Sequence, residues 1–151
     1  MQKAEQANFE PFDASNWHIG IVVAEFNKQV TSQQHQSALA KARAYKLKPA
    51  NIHTIHVAGA MEIPLALQHL ALSRKYQALL AIGCVIRGET PHFDYVCNLV
   101  TEGILRVELD HSIPVGFGIL TCNTIEQALE RVNLGGDHLQ AALQLAKALA
   151  D

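Results

Sequence analysis

Short, nearly continuous apolar runs alternate along this chain with longer stretches in which apolar positions recur every third or fourth residue. The runs read as strands buried on both faces, the longer stretches as helices that turn one apolar stripe inward. Strands are expected at 17–24, 51–57, 78–86 and 113–120, and helices at 28–46, 62–76, 92–110, 124–132 and 135–149. Strands separated by helices imply right-handed crossovers and a parallel sheet covered by helices, so the class is α/β. In the helix expected at 92–110, Val96, Leu99, Val100, Gly103, Ile104 and Val107 recur at helical spacing and mark its core face. Thr31 or Ser32 is expected to cap the first helix, Pro64 suits a first turn, and Thr124 with Gln127 matches a capping box. Residues 1–16 have no periodicity and are expected to form an arm, free or packed on a neighbour, which leaves 17–151 as a single domain.

Composition narrows the classes. With 151 residues, 49% of them apolar and 17% charged, the chain suits one globular domain. A net charge of -2 offers no basic face, so no nucleic-acid partner is expected. No apolar run approaches the roughly 18 residues that cross a bilayer, and the polar start lacks a signal peptide's apolar core. The expectation is a cytoplasmic protein with no membrane partner. Cys84, Cys97 and Cys122 are odd in number and widely spaced, which fits reduced buried thiols. His53 and His56 resemble a short metal motif, but strand alternation puts them on opposite faces, and no metal is expected.

The chemistry gathers where strands end. The run 78–85 leads straight into Arg87-Gly88-Glu89-Thr90-Pro91-His92, and in open α/β sheets ligands bind beyond the carboxyl ends of the strands. Glu25-Phe26-Asn27, Ala58 to Pro64 and Phe117 to Thr121 follow or occupy strand ends on the same edge. Imidazoles titrate near neutral pH, so His92 is a candidate proton carrier; its alternative role is a structural bond at a helix start. Phe26 has a face suited to stacking on a flat ring, or simply packs. Arg131 carries a planar cation suited to phosphate, or serves the end of its helix dipole. Arg87 orients loops by pairing with Glu62 or Asp94, or touches substrate.

Five blocks, Phe26-Asn27, Gly59 to Pro64, Gly83 to Asn98, Phe117 to Thr121 and Thr124 to Arg131, stand in order and at matching spacing over 17–149. Together they resemble the 6,7-dimethyl-8-ribityllumazine synthases. With that resemblance the fold expected is a three-layer α/β/α sandwich on a four-stranded parallel, flavodoxin-like sheet. It implies condensation of 5-amino-6-(D-ribitylamino)uracil with 3,4-dihydroxy-2-butanone 4-phosphate, the penultimate step of riboflavin synthesis, with no metal and no redox cofactor. In that scheme His92 carries protons, and Phe26 stacks on the pyrimidinedione beside Asn27. Backbone groups of Ala60, Met61, Cys84, Val85 and Ile86 read the ring and ribityl edges, and Glu62 accepts from ribityl hydroxyls. Glu89 and Thr90 offer main-chain N–H groups and a hydroxyl to phosphate, joined by Arg131. The resemblance also places Phe117 and Arg131 in the neighbouring subunit's site, within a homo-oligomer of five chains or a multiple of five.

Two positions depart from the family pattern. Met61 stands where an aromatic residue is common, and a flexible thioether fills similar space. Asp137-His138-Leu139 replaces the usual Asn-Lys-Gly, so either His138 takes the place of the Lys or that contact is lost. Rival readings are a flavin or lumazine carrier without turnover, and a flavodoxin-like regulatory module, which would need neither His92 nor a phosphate site; an acid pocket like a receiver domain's is absent from the first strand end.

Overall fold

The computed structural model describes residue 5 and residues 7–150. Four parallel strands, β1 (Ile19–Ala24), β2 (Ile52–Val57), β3 (Ala78–Ile86) and β4 (Val115–Cys122), form one sheet in the order β2-β1-β3-β4. Around it lie α1 (Lys28–Ala44), α2 (Ile63–Leu72), α3 (His92–His111), α4 (Ile125–Leu129) and α5 (Leu134–Ala150), the three-layer α/β/α arrangement expected. β1 and most of β3 are buried on both faces, which is why they read as unbroken apolar runs. β2 lies at an edge and is half-buried except at His53 and His56, which are exposed. His53 and His56 project from it to opposite sides, one ring near Tyr76 and the other near His35.

Two apolar layers sandwich the sheet. Val22, Leu79, Ala81 and Ile119 meet Ile63 and Leu67 of α2 and Val96, Val100, Ile104 and Val107 of α3. On the other face Ile19, Ile21, Val23, Leu80 and Ile82 meet Ala38 and Ala42 of α1 and Leu139, Ala142 and Leu143 of α5. Within the stretch expected as an arm, Phe12 stacks edge-on against Trp17 and Tyr45, Ala14 is fully buried, and Gln144 Nε2 donates to the Glu10 carbonyl. Helices α1 and α5 approach so closely that a Cβ on Gly135 would overlap the Gln34 carbonyl oxygen.

Local expectations are corrected at several points. Neither Thr31 nor Ser32 caps α1: the helix starts at Lys28, behind Asn27 in the left-handed region (φ 59°, ψ 45°), and Thr31 is buried within it. Asparagine is among the few residues that adopt this conformation readily. Leu99 shares the helical spacing of its neighbours but is 44% exposed, because α3 turns Phe93 inward instead. Tyr95, Leu105 and Leu109 are exposed on the same helix. The capping box at α4 is split. Thr124 Oγ1 accepts from Gln127 N–H at 3.2 Å, whereas Gln127 Oε1 reaches back one residue further, to Asn123 N–H at 2.8 Å.

Candidate functional site

The chain leaves β1 for β2 on one side and later returns to β3 on the other, so the loops after β1 and β3 diverge and leave a crevice at the carboxyl edge. Asn27 spans it: its Nδ2 donates to the Cys84 carbonyl at 2.8 Å, and this long-range bond holds the residue in its left-handed conformation. Beyond β1 the pairing with β2 continues, with Glu25 N–H donating to Val57 O and Phe26 N–H to Ala58 O. That pairing sets Phe26 next to Gly59 and leaves its ring 72% exposed. Solvent therefore covers a large apolar face beside the backbone of Ala60, Met61 and Glu62. Glu62 is itself anchored, Gly59 N–H donating to its Oε1 at 2.9 Å, so its other oxygen remains for a ligand. Across the crevice Cys84 is buried, while Val85 and Ile86 are half-buried.

The loop after β3 carries Gly88, Glu89, Thr90 and His92, all exposed. Thr90 Oγ1 accepts from His92 N–H at 3.4 Å, tying the hydroxyl to the start of α3. At the start of α3 the N–H groups of His92, Asp94 and Tyr95 already donate to Thr90 Oγ1 and the Pro91 carbonyl, so it is the exposed loop before the helix that offers amides of the kind anions bind. Arg87 pairs with Asp94 (Nη2 to Oδ1, 3.5 Å), stacks 4.3 Å from the Phe93 ring centroid, and donates from Nε to Asn123 Oδ1 at 3.0 Å. Of its two expected partners it takes Asp94, and it braces the loop from outside.

Burial pushes the Cys84 thiol up to about 12, reinforced by Cys122, and burial also raises Cys97 and Cys122. Such thiols stay protonated and are poor nucleophiles, which leaves acid–base and electrostatic chemistry to the imidazole, carboxylate and guanidinium groups. No cluster of His, Cys, Asp or Glu among the described residues has a metal-holding arrangement. No described helix is long and apolar enough to cross a membrane.

Phe117 and Arg131 lie elsewhere on the chain. Phe117 pairs in register with Ala81, well below the level of the loops, and is 38% exposed. It lines a groove of about 620 Å³ between β4 and α3, with Arg87, Phe93, Asn98, Thr101 and Leu105. From the strand registers and ordinary spacings, Phe26 and Phe117 are separated by roughly 16 Å. One chain therefore cannot sandwich a single small ring between them. Arg131 follows α4, its Nη1 donating to Gln127 O at 2.7 Å and lying 3.7 Å from Glu130 Oε2.

His138 sits on α5 against Gly118 of β4, half-buried, and its Nδ1 is buried without a hydrogen-bond partner in the structure. Burial lowers its pKa, opposed by Asp137. Within its own chain it packs against β4. The sequence reading missed Asn123 and gave Gln127 only a capping role. Their signal lay in position, since polar residues between a buried strand and a short helix sit on the same edge as the site. Residues 16–150 match the pattern of 6,7-dimethyl-8-ribityllumazine synthase, and the chain belongs to that family, transferases of riboflavin biosynthesis.

Proposed function

We propose that this protein condenses 5-amino-6-(D-ribitylamino)uracil with 3,4-dihydroxy-2-butanone 4-phosphate, forming 6,7-dimethyl-8-ribityllumazine and releasing phosphate and water. Family membership implies lumazine synthase activity on small-molecule substrates in an oligomeric assembly. The observation that carries the finer reading is the crevice itself. An exposed Phe26, an anchored Glu62 and the β3 end lie on one side of the Thr90–His92 loop, with Phe117 and Arg131 displaced to the far edge.

Phe26 supplies a stacking face for the pyrimidinedione, and the main chain at Ala60, Met61, Val85 and Ile86 supplies donors and acceptors for its edges. Asn27 acts indirectly, since it occupies the Cys84 carbonyl and fixes the crevice width. Glu62 accepts from ribityl hydroxyls with its second oxygen. The amides of Glu89 and Thr90, the Thr90 hydroxyl and an incoming Arg131 bind the phosphate, neutralising charge as it departs. Attack of the amine on the ketone, loss of phosphate and ring closure each transfer protons, and His92 at the loop's end is the group placed to accept and return them.

The separation of Phe26 from Phe117 favours a site completed by a second copy, in which the neighbour contributes Phe117 and Arg131. Tyr95, Leu99, Leu105 and Leu109 on α3 and Leu65 and Leu72 on α2, all exposed on the isolated chain, supply an apolar surface for such a contact. We assign a ring of five chains or a multiple of it. The test is product formation followed by absorbance and fluorescence. The parent is expected to exceed the spontaneous rate, and His92→Ala to fall by about tenfold or more. Tight lumazine binding without acceleration would refute synthesis and support a carrier.

A further inference from the structure

A continuous run of hydrogen bonds links the loop after β3 to Arg131. Arg87 Nε donates to Asn123 Oδ1 at 3.0 Å, and Asn123 N–H donates to Gln127 Oε1 at 2.8 Å. Gln127 N–H donates to Thr124 Oγ1 at 3.2 Å, and the Gln127 carbonyl accepts from Arg131 Nη1 at 2.7 Å. The main chain closes the same unit, since Arg87 N–H donates to the Cys122 carbonyl at 2.9 Å. Asn123 holds Arg87 with its side chain and offers its backbone N–H to the Gln127 side chain, while Gln127 holds Arg131 with its backbone carbonyl, so each side chain fixes one partner and the main chain between them carries the effect onward. At one end Arg87 is also held by Phe93 and Asp94 at the start of α3, within two residues of His92. At the other end Arg131 is 27% exposed, one Nη spent on the Gln127 carbonyl and its other N–H groups available to an anion.

We propose that Asn123 and Gln127 are positioning residues, holding Arg131 and, through Arg87, the Thr90–His92 loop at fixed relative placement for binding the phosphate-bearing substrate. This rests on the function proposed above. Because the loop serves the chain's own site and Arg131 the next one, a single polar unit sets the anion-binding geometry of two adjacent sites. Each bond is worth little by itself, but a guanidinium whose side-chain or carbonyl acceptor is removed or shifts loses part of the pre-orientation that makes for an effective anion clamp.

The test compares Asn123→Ala, which removes the acceptor for Arg87, with Asn123→Asp, which keeps an oxygen in its place; Gln127→Leu interrupts the run one step further on. For Asn123→Ala and Gln127→Leu, KM for the phosphate substrate is expected to rise about three- to tenfold while KM for the uracil substrate stays within about twofold. Asn123→Asp is expected to restore the parent value. An unchanged KM in both interrupted variants, or a loss that Asn123→Asp fails to rescue, overturns the proposal. Calorimetric titration with inorganic phosphate separates this from the synthase reading. A parent that forms no product but binds phosphate about three- to tenfold more tightly than Asn123→Ala refutes the synthase and sustains the positioning role, and equal phosphate binding overturns that role.

Discussion

Replacing Gly135 by alanine tests how tightly the layer behind the sheet is fitted. A Cβ there would overlap the Gln34 carbonyl oxygen and stand 2.9 Å from its carbon and 3.1 Å from its Cα, so every obstacle is backbone. Carbon atoms prefer separations of about 3.5–4 Å, so α1 and α5 must part by about 1 Å. Parting strains two bonds at the seam, Gly136 N–H to Ser37 Oγ (3.0 Å) and Ser37 Oγ to the Asn133 carbonyl (2.9 Å). Overpacking costs about 1–3 kcal/mol and the two bonds about 1 kcal/mol each, against a helix-propensity gain of about 1 kcal/mol for Ala over Gly. The net expectation is a loss of about 2–4 kcal/mol, a large share of a typical domain's stability. Gly136→Ala is the control. Its Cβ would meet the Ser37 carbonyl oxygen at 3.1 Å and Lys41 Cβ and Cε at 3.2 and 3.3 Å; Cε can swing away and the other two contacts need the helices to give by only a few tenths of an ångström, so about 0–1 kcal/mol is expected. The assay is urea denaturation of both variants at one protein concentration, since assembly contributes to apparent stability. Equal midpoints for the two variants, or a Gly135→Ala protein as stable as the parent, would refute the argument.

Mixing His92→Ala chains with Arg131→Ala chains, each nearly inactive alone, should restore about a quarter of parental activity if every site draws His92 and Arg131 from different chains; no recovery on reassembly places both in one chain. Burial lowers the pKa of both His138 and His35, so the unfolded chain takes up protons first on acidification. Their contribution is intact above the ordinary imidazole value and is lost as pH falls through the lower folded value, at up to about 1.4 kcal/mol per pH unit for each. Comparing urea midpoints near neutrality and about two units below, His138→Gln should flatten the decline, and a slope identical to the parent's would exclude a part for His138. With its thiol near 12 and its side chain buried, Cys84 should resist iodoacetamide under mildly alkaline conditions in the native protein and react once unfolded; rapid native labelling, located by mass spectrometry, would contradict its placement.

The strands were legible because their burial is written into composition: β3 is apolar on both faces, so its run is unbroken. What escaped the sequence depended on distant partners. Asn27 starts α1 because its amide finds the Cys84 carbonyl across the crevice, and no local propensity announces that bond. Leu99 has the spacing of a core residue, but only the rotation of α3 on the sheet decides which leucines face out. The loops after β1, β2 and β3 were correctly gathered to one edge, since the direction of parallel strands places them there, whereas Phe117, expected with them, lies within β4. The distance from Phe26 to Phe117 follows from strand register, which the sequence does not specify.

The leucines and tyrosine on the outer side of α3 also bear on the protein's life before assembly. A newly folded chain carries Tyr95, Leu99, Leu105 and Leu109 in contact with water, each forfeiting about 25 cal/mol for every Å² left uncovered. If the proposed assembly covers that face, any other exposed apolar surface competes for it until a second copy binds. The rate at which chains are made must therefore keep pace with the rate at which they find one another, and yield should fall at low expression for want of partners as much as at high expression from aggregation.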